Sequence, residues 1–177
     1  ISHIFISHLH GDHFYGLIGL ISSYHLLSRP SPLHVYGVPG LKEIIDLQLE
    51  HSQTELVYPL IFHEIDPEKA SVIAGNEHFW VKTIPLNHRI PTCGFLISEK
   101  PLKRNISKEF ANNVDVPVDA YDRIRAGEDF VDGCGKVYPN REITSDPPKT
   151  KSYAYISDTA YHEPIIQQIR GVDLLYH

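Results

Sequence analysis

His8-Leu9-His10-Gly11-Asp12-His13 follows an apolar run, Ile4-Phe5-Ile6, and precedes a helical pattern that starts near Phe14. Three imidazoles and one carboxylate lie within these six positions, and Gly11 is expected to let the backbone turn tightly between them. Imidazole and carboxylate ligands suit zinc, iron or manganese, and the absence of a nearby cysteine argues against a closed structural zinc site. Because α/β folds place their chemistry where a strand turns into a helix, the stretch predicts a metal centre rather than a histidine-rich surface loop.

The composition describes one domain of ordinary polarity. The chain has 177 residues, of which 42% are hydrophobic, and this length suffices for one substantial core. No apolar stretch approaches the ~20 residues of a membrane span, so no membrane partner is expected. The formal net charge of −6 does not indicate a nucleic-acid-binding protein, and any contact with phosphate would have to be local or mediated by a metal. Two cysteines, Cys93 and Cys134, fit a reducing compartment.

The order of predicted elements is typical of a layered α/β domain. Helical and alternating patterns predict helices over 12–28, 39–50, 118–126 and 161–170, and strands over 33–37, 56–65, 71–74, 78–84, 92–98, 152–157 and 172–176. The last of these strands is expected to be buried. Gly75-Asn76 predicts a hairpin turn. Two α/β halves with antiparallel strands between them predict a four-layer αββα sandwich over residues 1–177 as a single domain. The chain begins and ends within predicted strands, which we interpret as an internal piece of a longer protein, incomplete at both ends.

Residues 99–150 are less regular than the rest of the chain. A basic cluster precedes a predicted helix and an acidic, glycine-rich stretch over 127–135. Charge of this kind is typical of a solvated face, and it is also typical of a protruding arm that grips a substrate. The basic cluster consists of Lys100, Lys103, Arg104 and Lys108.

Four motifs, in order, resemble those of the metallo-β-lactamase superfamily and, within it, of the tRNase Z (ribonuclease Z) family. They are the run Ile4-Phe-Ile-Ser-His-Leu-His-Gly-Asp-His-Phe14, then Pro85-Leu-Asn-His88 with Gly94-Phe95 downstream, then Ile156-Ser-Asp158-Thr159, and finally Gly171-Val-Asp-Leu-Leu-Tyr-His177. Ser157 stands where the third motif of the family has glycine. The last motif resembles the run that leads into the His-Glu-Ala-Thr loop of the family. The resemblance covers essentially the whole chain.

Two departures from the family pattern concern different parts of the expected site. The last metal-binding histidine of the family lies beyond residue 177. In the arm region the family often carries a Gly-Pro pair before a basic helix, whereas Val116-Pro-Val-Asp-Ala-Tyr-Asp122 has no such pair and is acidic. The second departure puts the usual mode of tRNA gripping in doubt, and it leaves the metal chemistry unaffected.

The resemblance implies a phosphodiester hydrolase with two zinc ions, for which manganese or iron are alternatives. Such a metal pair, about 3.5–4 Å apart, clamps the attacking and leaving oxygens of the reacting phosphate. A carboxylate with two oxygens suits the bridging position between the ions. The implied ligands are His8, His10 and His88 for one ion, Asp12 and His13 for the other, and Asp158 as the bridge.

The resemblance also implies the catalytic roles and the substrate. Asp12 would act as the general base toward the attacking water, and His177 would donate a proton to the departing ribose 3′-oxygen. The substrate would be precursor tRNA, from which a 3′ trailer is removed, and the basic cluster at 100–108 would help to hold it. The family further implies a homodimer that acts in the cytoplasm.

Simpler interpretations remain open for several of these residues. Asp158 also suits a cap of the helix that follows it, His88 suits an ordinary loop histidine, and His177 suits either a metal ligand or a structural residue at the end of a strand. Thr159 is expected to orient Asp158.

Two other functions remain open for the protein as a whole. One is a different hydrolase of the superfamily, such as a small-molecule phosphodiesterase or a thioester hydrolase. The other is a non-catalytic binding module, which would be expected to lose metal ligands, whereas this chain retains every ligand position up to residue 177.

Overall fold

The computed structural model describes all residues from Ile1 to His177, and the chain divides into two compact units. The first unit consists of Ile1–Ser98 and Lys151–His177, and the second unit consists of Glu99–Thr150. None of the helices is long and apolar enough to cross a membrane.

The first unit contains the predicted metal-binding residues. Its strands and helices are β1 (His3–Phe5), α1 (Gly11–Phe14), α2 (Gly16–Leu26), β2 (Leu33–Gly37), α3 (Leu41–His51), β3 (Leu60–Glu64), β4 (Val72–Gly75), β5 (Phe79–Pro85) and β6 (Cys93–Glu99), whose last residue lies at the boundary of the second unit. The second unit contains β7 (Asn105–Ile106), α4 (Lys108–Asn113), α5 (Val118–Ala126), β8 (Phe130–Val131), β9 (Val137–Tyr138), α6 (Asn140–Ile143) and β10 (Thr144–Ser145). The chain then returns to the first unit through β11 (Ser152–Tyr155), α7 (Pro164–Ile169) and β12 (Leu174–Tyr176).

Two sheets form the frame of the first unit. The first sheet has the order β1-β2-β3, and both pairs of neighbouring strands are parallel, with His3 opposite His34 and Leu33 opposite Leu60. The second sheet has the order β12-β11-β6-β5-β4. In it β11 runs antiparallel to β6 and parallel to β12, and β4 runs antiparallel to β5.

Three apolar clusters show how helices and sheets are layered. Leu33 and Val35 on one face of β2 pack with Ile21 of α2 and Ile45 of α3, while Tyr36 on the other face packs with residues of β5 and β6. Residues of β5 and β11 pack with α7 on the far side of the second sheet. The order of layers is therefore helices, sheet, sheet and helix, which confirms the predicted αββα sandwich. Burial of a large aliphatic side chain contributes about 1.5–3 kcal/mol, so these clusters supply the main stabilisation.

The second unit has a small core of its own. Phe110, Ile124 and Phe130 are buried in it. Asn140 is also buried, and its side-chain amide donates hydrogen bonds to the carbonyl oxygens of Ile124 and Glu128, both at 2.7 Å. Because a buried amide is costly without partners, this pair of hydrogen bonds holds the end of α5 against α6.

Several predicted bounds agree with the structure, and three details were wrong. The predicted helix over 12–28 is two helices, α1 and α2, which meet at Tyr15. The strand predicted within 56–65 is β3, and it pairs in parallel with β2 rather than joining the antiparallel strands, because α3 carries the chain back to the same end of the sheet. The strand predicted to be buried over 172–176 is β12, an exposed strand at the edge of the second sheet.

The hairpin between β4 and β5 is confirmed, although its tip lies later than predicted. Gly75 still pairs with Trp80 of β5, and the backbone N–H of Asn76 donates to the carbonyl oxygen of Phe79 at 3.0 Å. The side-chain oxygen of Asn76 accepts hydrogen bonds from the backbone N–H groups of His78 and Phe79. Glu77 and His78 therefore form the tip. Asparagine side chains commonly stabilise turns by accepting hydrogen bonds from backbone N–H groups that follow them in the chain.

Candidate metal centre

Three imidazole nitrogens from two distant parts of the chain converge at the ends of the strands. His8 follows β1, His10 precedes α1, and His88 lies in the loop between β5 and β6. Nδ1 of His10 lies 3.1 Å from Nε2 of His8 and 3.2 Å from Nε2 of His88. The rings meet edge to face, with centroids 4.8–5.2 Å apart, so their nitrogens point toward one another rather than stacking.

Asp158 adds a carboxylate to this set. It follows β11, and its Oδ2 lies 4.0 Å from Nε2 of His8. The ligand atoms of His8, His10, His88 and Asp158 all lie within 4.8 Å of one another. Three imidazoles with one carboxylate form a donor set that suits zinc, iron or manganese, and this close approach fits a single metal ion between them.

His13 lies beside this set, approaches the other oxygen of Asp158 and contacts Asp12. Nε2 of His13 lies 3.4 Å from Oδ2 of Asp12 and 3.7 Å from Oδ1 of Asp158. The ring of His13 lies 4.1 Å from that of His8, centroid to centroid. The two oxygens of Asp158 therefore face two different histidines, an arrangement that suits a carboxylate placed between two cations.

Two serine hydroxyls hold His8 in its orientation. Nδ1 of His8 lies 3.0 Å from Oγ of Ser7 and 3.4 Å from Oγ of Ser157, and the two hydroxyls lie 2.9 Å apart. All three side chains are buried. Because hydrogen bonds at one ring nitrogen direct the other toward a metal, these serines aim Nε2 at the ligand set. Ser7 was missed at the sequence level, although a serine directly before a ligand histidine is a recognisable signal.

The loops that carry His88 and Asp158 are joined to each other. The backbone N–H of Asn87 donates to Oγ of Thr159 at 3.0 Å, and the backbone N–H of Ala160 donates to the carbonyl oxygen of Asn87 at 2.7 Å. These contacts lie one residue away from each ligand. Thr159 therefore fixes the spacing between the two loops, whereas it was expected to orient Asp158 directly.

Two glycines of the motifs lie against neighbouring groups, a backbone carbonyl at Gly94 and an exposed tyrosine ring at Gly11. A Cβ on Gly94 of β6 would lie 2.5 Å from the carbonyl oxygen of Tyr155, so only glycine permits the close approach of β6 and β11. Gly11 was expected to provide an unusual turn, but it is not among the residues with positive φ. The space above Gly11 is instead filled by the ring of Tyr15, which a Cβ would meet at 2.2 Å.

The remaining predicted residues are not members of this ligand set. His177 makes no hydrogen bond or ion pair with the histidines, and it lines a cavity of about 200 Å³ with Thr159, Tyr161 and His162. In the second unit, Lys103 pairs with Asp122 and Arg104 pairs with Asp146, which leaves less free positive charge than the sequence suggested. Lys103, Arg104 and Lys108 line one cavity of about 450 Å³. Lys100 is half-buried and does not line that cavity.

Burial keeps His8 in the neutral form that a metal ligand requires. The pKa of the His8 imidazole is lowered from 6.5 to about 4, mainly by burial and then by nearby His13 and His10, while the Asp158 carboxylate acts in the opposite direction. A proton therefore competes weakly for this nitrogen at neutral pH.

The lowered pKa of His8 predicts a loss of stability in acid for the metal-free protein. Because the folded pKa lies below the unfolded one, the stabilisation is fully present above pH 6.5 and is lost as the pH falls toward 4. The expected loss is on the order of 3 kcal/mol in the free energy of unfolding. Urea unfolding in the presence of a chelator, between pH 7 and 4, measures it. His8→Gln should show a correspondingly weaker dependence on pH, and an unchanged dependence would contradict the assignment.

Known proteins resemble this chain along nearly its whole length. The chain is 45% identical over 179 residues to a protein named ribonuclease Z from Bacteroides fragilis, a match that covers 100% of the chain and 58% of the relative. It is 46% identical over 168 residues to ribonuclease Z of Cytophaga hutchinsonii, covering 94% and 53%. The crystal structure of human tRNase Z, short form, is similar with a TM-score of 0.63 and 25% identity over 99% of the chain and 56% of that structure.

The chain thus spans a little more than half the length of these relatives. No protein-family profile matches it. The likeness to human tRNase Z extends over nearly all of the layered fold and the second unit, and it agrees with the metallo-β-lactamase fold expected from the motifs. With 40–46% identity to proteins named ribonuclease Z over 94–100% of its length, the chain belongs to the ribonuclease Z family.

Proposed function

We propose that the whole protein is a metal-dependent endoribonuclease that removes 3′ trailers from precursor tRNA. The observation that carries the proposal is the convergence of three imidazole nitrogens and the Asp158 carboxylate within 4.8 Å, in a chain similar along its length to ribonuclease Z. Such a set suits hydrolysis, because a metal held by imidazole and carboxylate ligands can activate water for attack on a phosphodiester.

Two zinc ions fit the donor atoms, with manganese or iron as alternatives. His8, His10 and His88 would hold one ion, Asp12 and His13 would hold the other, and Asp158 would contact both through its two oxygens. When bound, the ions supply Lewis-acid stabilisation of the charge that develops on the phosphate during hydrolysis. The protein itself keeps Nε2 of His8 neutral and fixed, through the burial of this ring and its serine partners.

We assign proton transfer to Asp12 and His177. The side chain of Asp12 is 79% exposed, and it lies 3.4 Å from His13, so it can both reach water and be held in place. We assign it the removal of a proton from the attacking water. His177 lies in the cavity that begins beside Thr159, directly after Asp158, and we assign it the donation of a proton to the departing 3′-oxygen.

Substrate binding and assembly complete the proposal. The basic residues 100–108 of the second unit would contact the tRNA backbone as an arm, and two copies of the protein would form a homodimer, as the family resemblance implies. We place the enzyme in the cytoplasm, and its two free cysteines are consistent with a reducing compartment.

The test is cleavage of a precursor tRNA that carries a 3′ trailer by the whole protein with zinc or manganese. We expect release of the trailer as a separate fragment, and we expect a chelator to abolish it. A matched RNA without a trailer is the control, and it should remain intact. Turnover of a model phosphodiester without any cleavage of precursor tRNA would support a small-molecule hydrolase of the same fold instead.

A further inference from the structure

Arg89 follows His88 directly in the loop between β5 and β6, and its side chain reaches the outer edge of the metal centre. Its Nη2 lies 2.9 Å from Nε2 of His10. Nδ1 of the same His10 ring faces His8 and His88. The two ring nitrogens of His10 therefore have different partners, and the roles assigned above make no use of this guanidinium.

The contact between Arg89 and His10 is compatible with only one arrangement of the imidazole hydrogen. A guanidinium has donors and no acceptor, so Nε2 of His10 must accept, and the hydrogen of the neutral ring then lies on Nδ1. A metal ligand must present a lone pair, so use of Nδ1 as a ligand places the hydrogen on Nε2. Two donors would then face each other, and the hydrogen bond to Arg89 would be lost.

Arg89 is exposed and has no other hydrogen bond or ion pair. Once His10 serves as a ligand, the guanidinium is therefore free to bind an anion beside the metal centre. Guanidinium groups bind phosphate through paired hydrogen bonds, which makes a phosphodiester the matching partner.

A groove next to Arg89 offers space for the rest of a nucleotide. Its volume is about 570 Å³, and its walls are mainly apolar. It is open to solvent on the side of the metal centre where His10 and Arg89 lie. An unpaired base can lie against such walls, and unpaired ends are what RNA-processing proteins commonly recognise. The groove is lined by Leu9, His10, Val38, Pro39, Arg89, Ile90 and Pro91.

We propose that Arg89 binds an RNA phosphate next to the reacting linkage, and that the groove holds the adjoining unpaired nucleotide. The hydrogen bond to His10 holds Arg89 in the metal-free protein, and metal loading releases it. RNA binding at this position is thereby coupled to a complete metal centre. The proposal rests on the proposed function, since it names how the same centre holds its RNA.

The test compares Arg89→Gln with wild type in the whole protein. With metal bound, we expect the Kd for a labelled precursor tRNA to rise about tenfold, the effect of losing one charged hydrogen-bonding contact. The slope of log Kd against log salt should fall by about 0.7–1, as expected for one lost phosphate contact. Without metal the variant and wild type should bind RNA equally. An Asp12→Ala background slows cleavage during the measurement, and Arg170→Gln, an exposed arginine after α7, is the matched control.

Two further measurements distinguish direct binding of RNA by Arg89 from an indirect effect of Arg89 on metal binding. Arg89→Gln should bind zinc at least as tightly as wild type in a chelator competition. In wild type the hydrogen bond from Arg89 favours the form of His10 with its hydrogen on Nδ1, and that form cannot bind a metal through Nδ1. Arg89→Lys should retain most of the salt slope. Weaker zinc binding, an unchanged salt slope, or an equal loss of RNA affinity without metal would overturn the proposal. Failure of the wild-type protein to cut precursor tRNA would instead overturn the proposed function.

Discussion

Replacement of Asp158 by asparagine will reduce cleavage of precursor tRNA by about a thousandfold or more, and it will lower the metal content of the purified protein. The reason is the position of its two oxygens, one 4.0 Å from His8 and the other 3.7 Å from His13. An amide keeps the shape but loses the charge, so neither cation position is neutralised. A loss of about 4 kcal/mol of transition-state stabilisation corresponds to this change in rate.

Metal analysis of the purified protein and single-turnover cleavage are the two measurements for Asp158→Asn. Asp46→Asn is the control, because Asp46 is an exposed carboxylate of α3 that pairs with Lys42. It should retain both metal content and cleavage. If Asp158→Asn keeps full metal content and full activity, Asp158 only caps the segment before α7, and the bridging role is wrong.

The second large effect is expected at Asp12, where the rate of cleavage should fall much more than the metal affinity. Asp12→Ala should lower the rate of cleavage about 10²–10⁴-fold, the range associated with loss of a general base. Its affinity for the ion assigned to His8, His10 and His88 should change much less, because the four ligands within 4.8 Å of one another do not include Asp12. The side chain of Asp12 is 79% exposed, which is more than the side chains of His8, His13 and Asp158.

Zinc affinity by chelator competition and the pH dependence of the cleavage rate test this assignment. The acidic limb of the pH–rate profile should change in Asp12→Ala, since the group that accepts the proton has been removed. Asp12→Asn should resemble Asp12→Ala in rate, because an amide does not act as a base. The reverse pattern, with metal affinity lost and the rate at saturating metal retained, would make Asp12 a ligand alone.

The two variants together distinguish a shared ligand from a residue that moves a proton. Both residues contact His13, so their effects are expected to be non-additive in a double variant. A variant that lacks Asp158 has lost the centre on which Asp12 acts. The double variant should therefore cleave no more slowly than Asp158→Asn by itself.

Local sequence patterns predicted much of the secondary structure. The predicted bounds of β2 and α5 agree with the structure, because residues that end such elements lie at their limits. Gly37 is the last residue of β2 and Pro39 follows it, while Pro117 and Gly127 flank α5. The exposure of β12 was not predictable from its apolar residues, since periodicity does not distinguish an edge strand from a central one. The partner of β3 likewise depends on the path of α3, which lies outside the strand itself.

Sequence by itself determined which residues are candidates for the metal centre. The turn at 8–13 contains four potential ligands, and motif order pointed to His88 and Asp158. Residue type and spacing along the chain carry that information, because imidazole and carboxylate are the metal-binding groups whatever the fold.

Only the tertiary structure decided how those candidates face one another. His10 and His88 are 78 positions apart, and their nitrogens meet at 3.2 Å because two separate sheets end at the same place. The same packing turns Nδ1 of His10 toward the ligands and Nε2 toward Arg89, and it buries Ser7 and Ser157 against His8. Ring orientation depends on contacts between segments that are distant in the chain, and no local pattern encodes it.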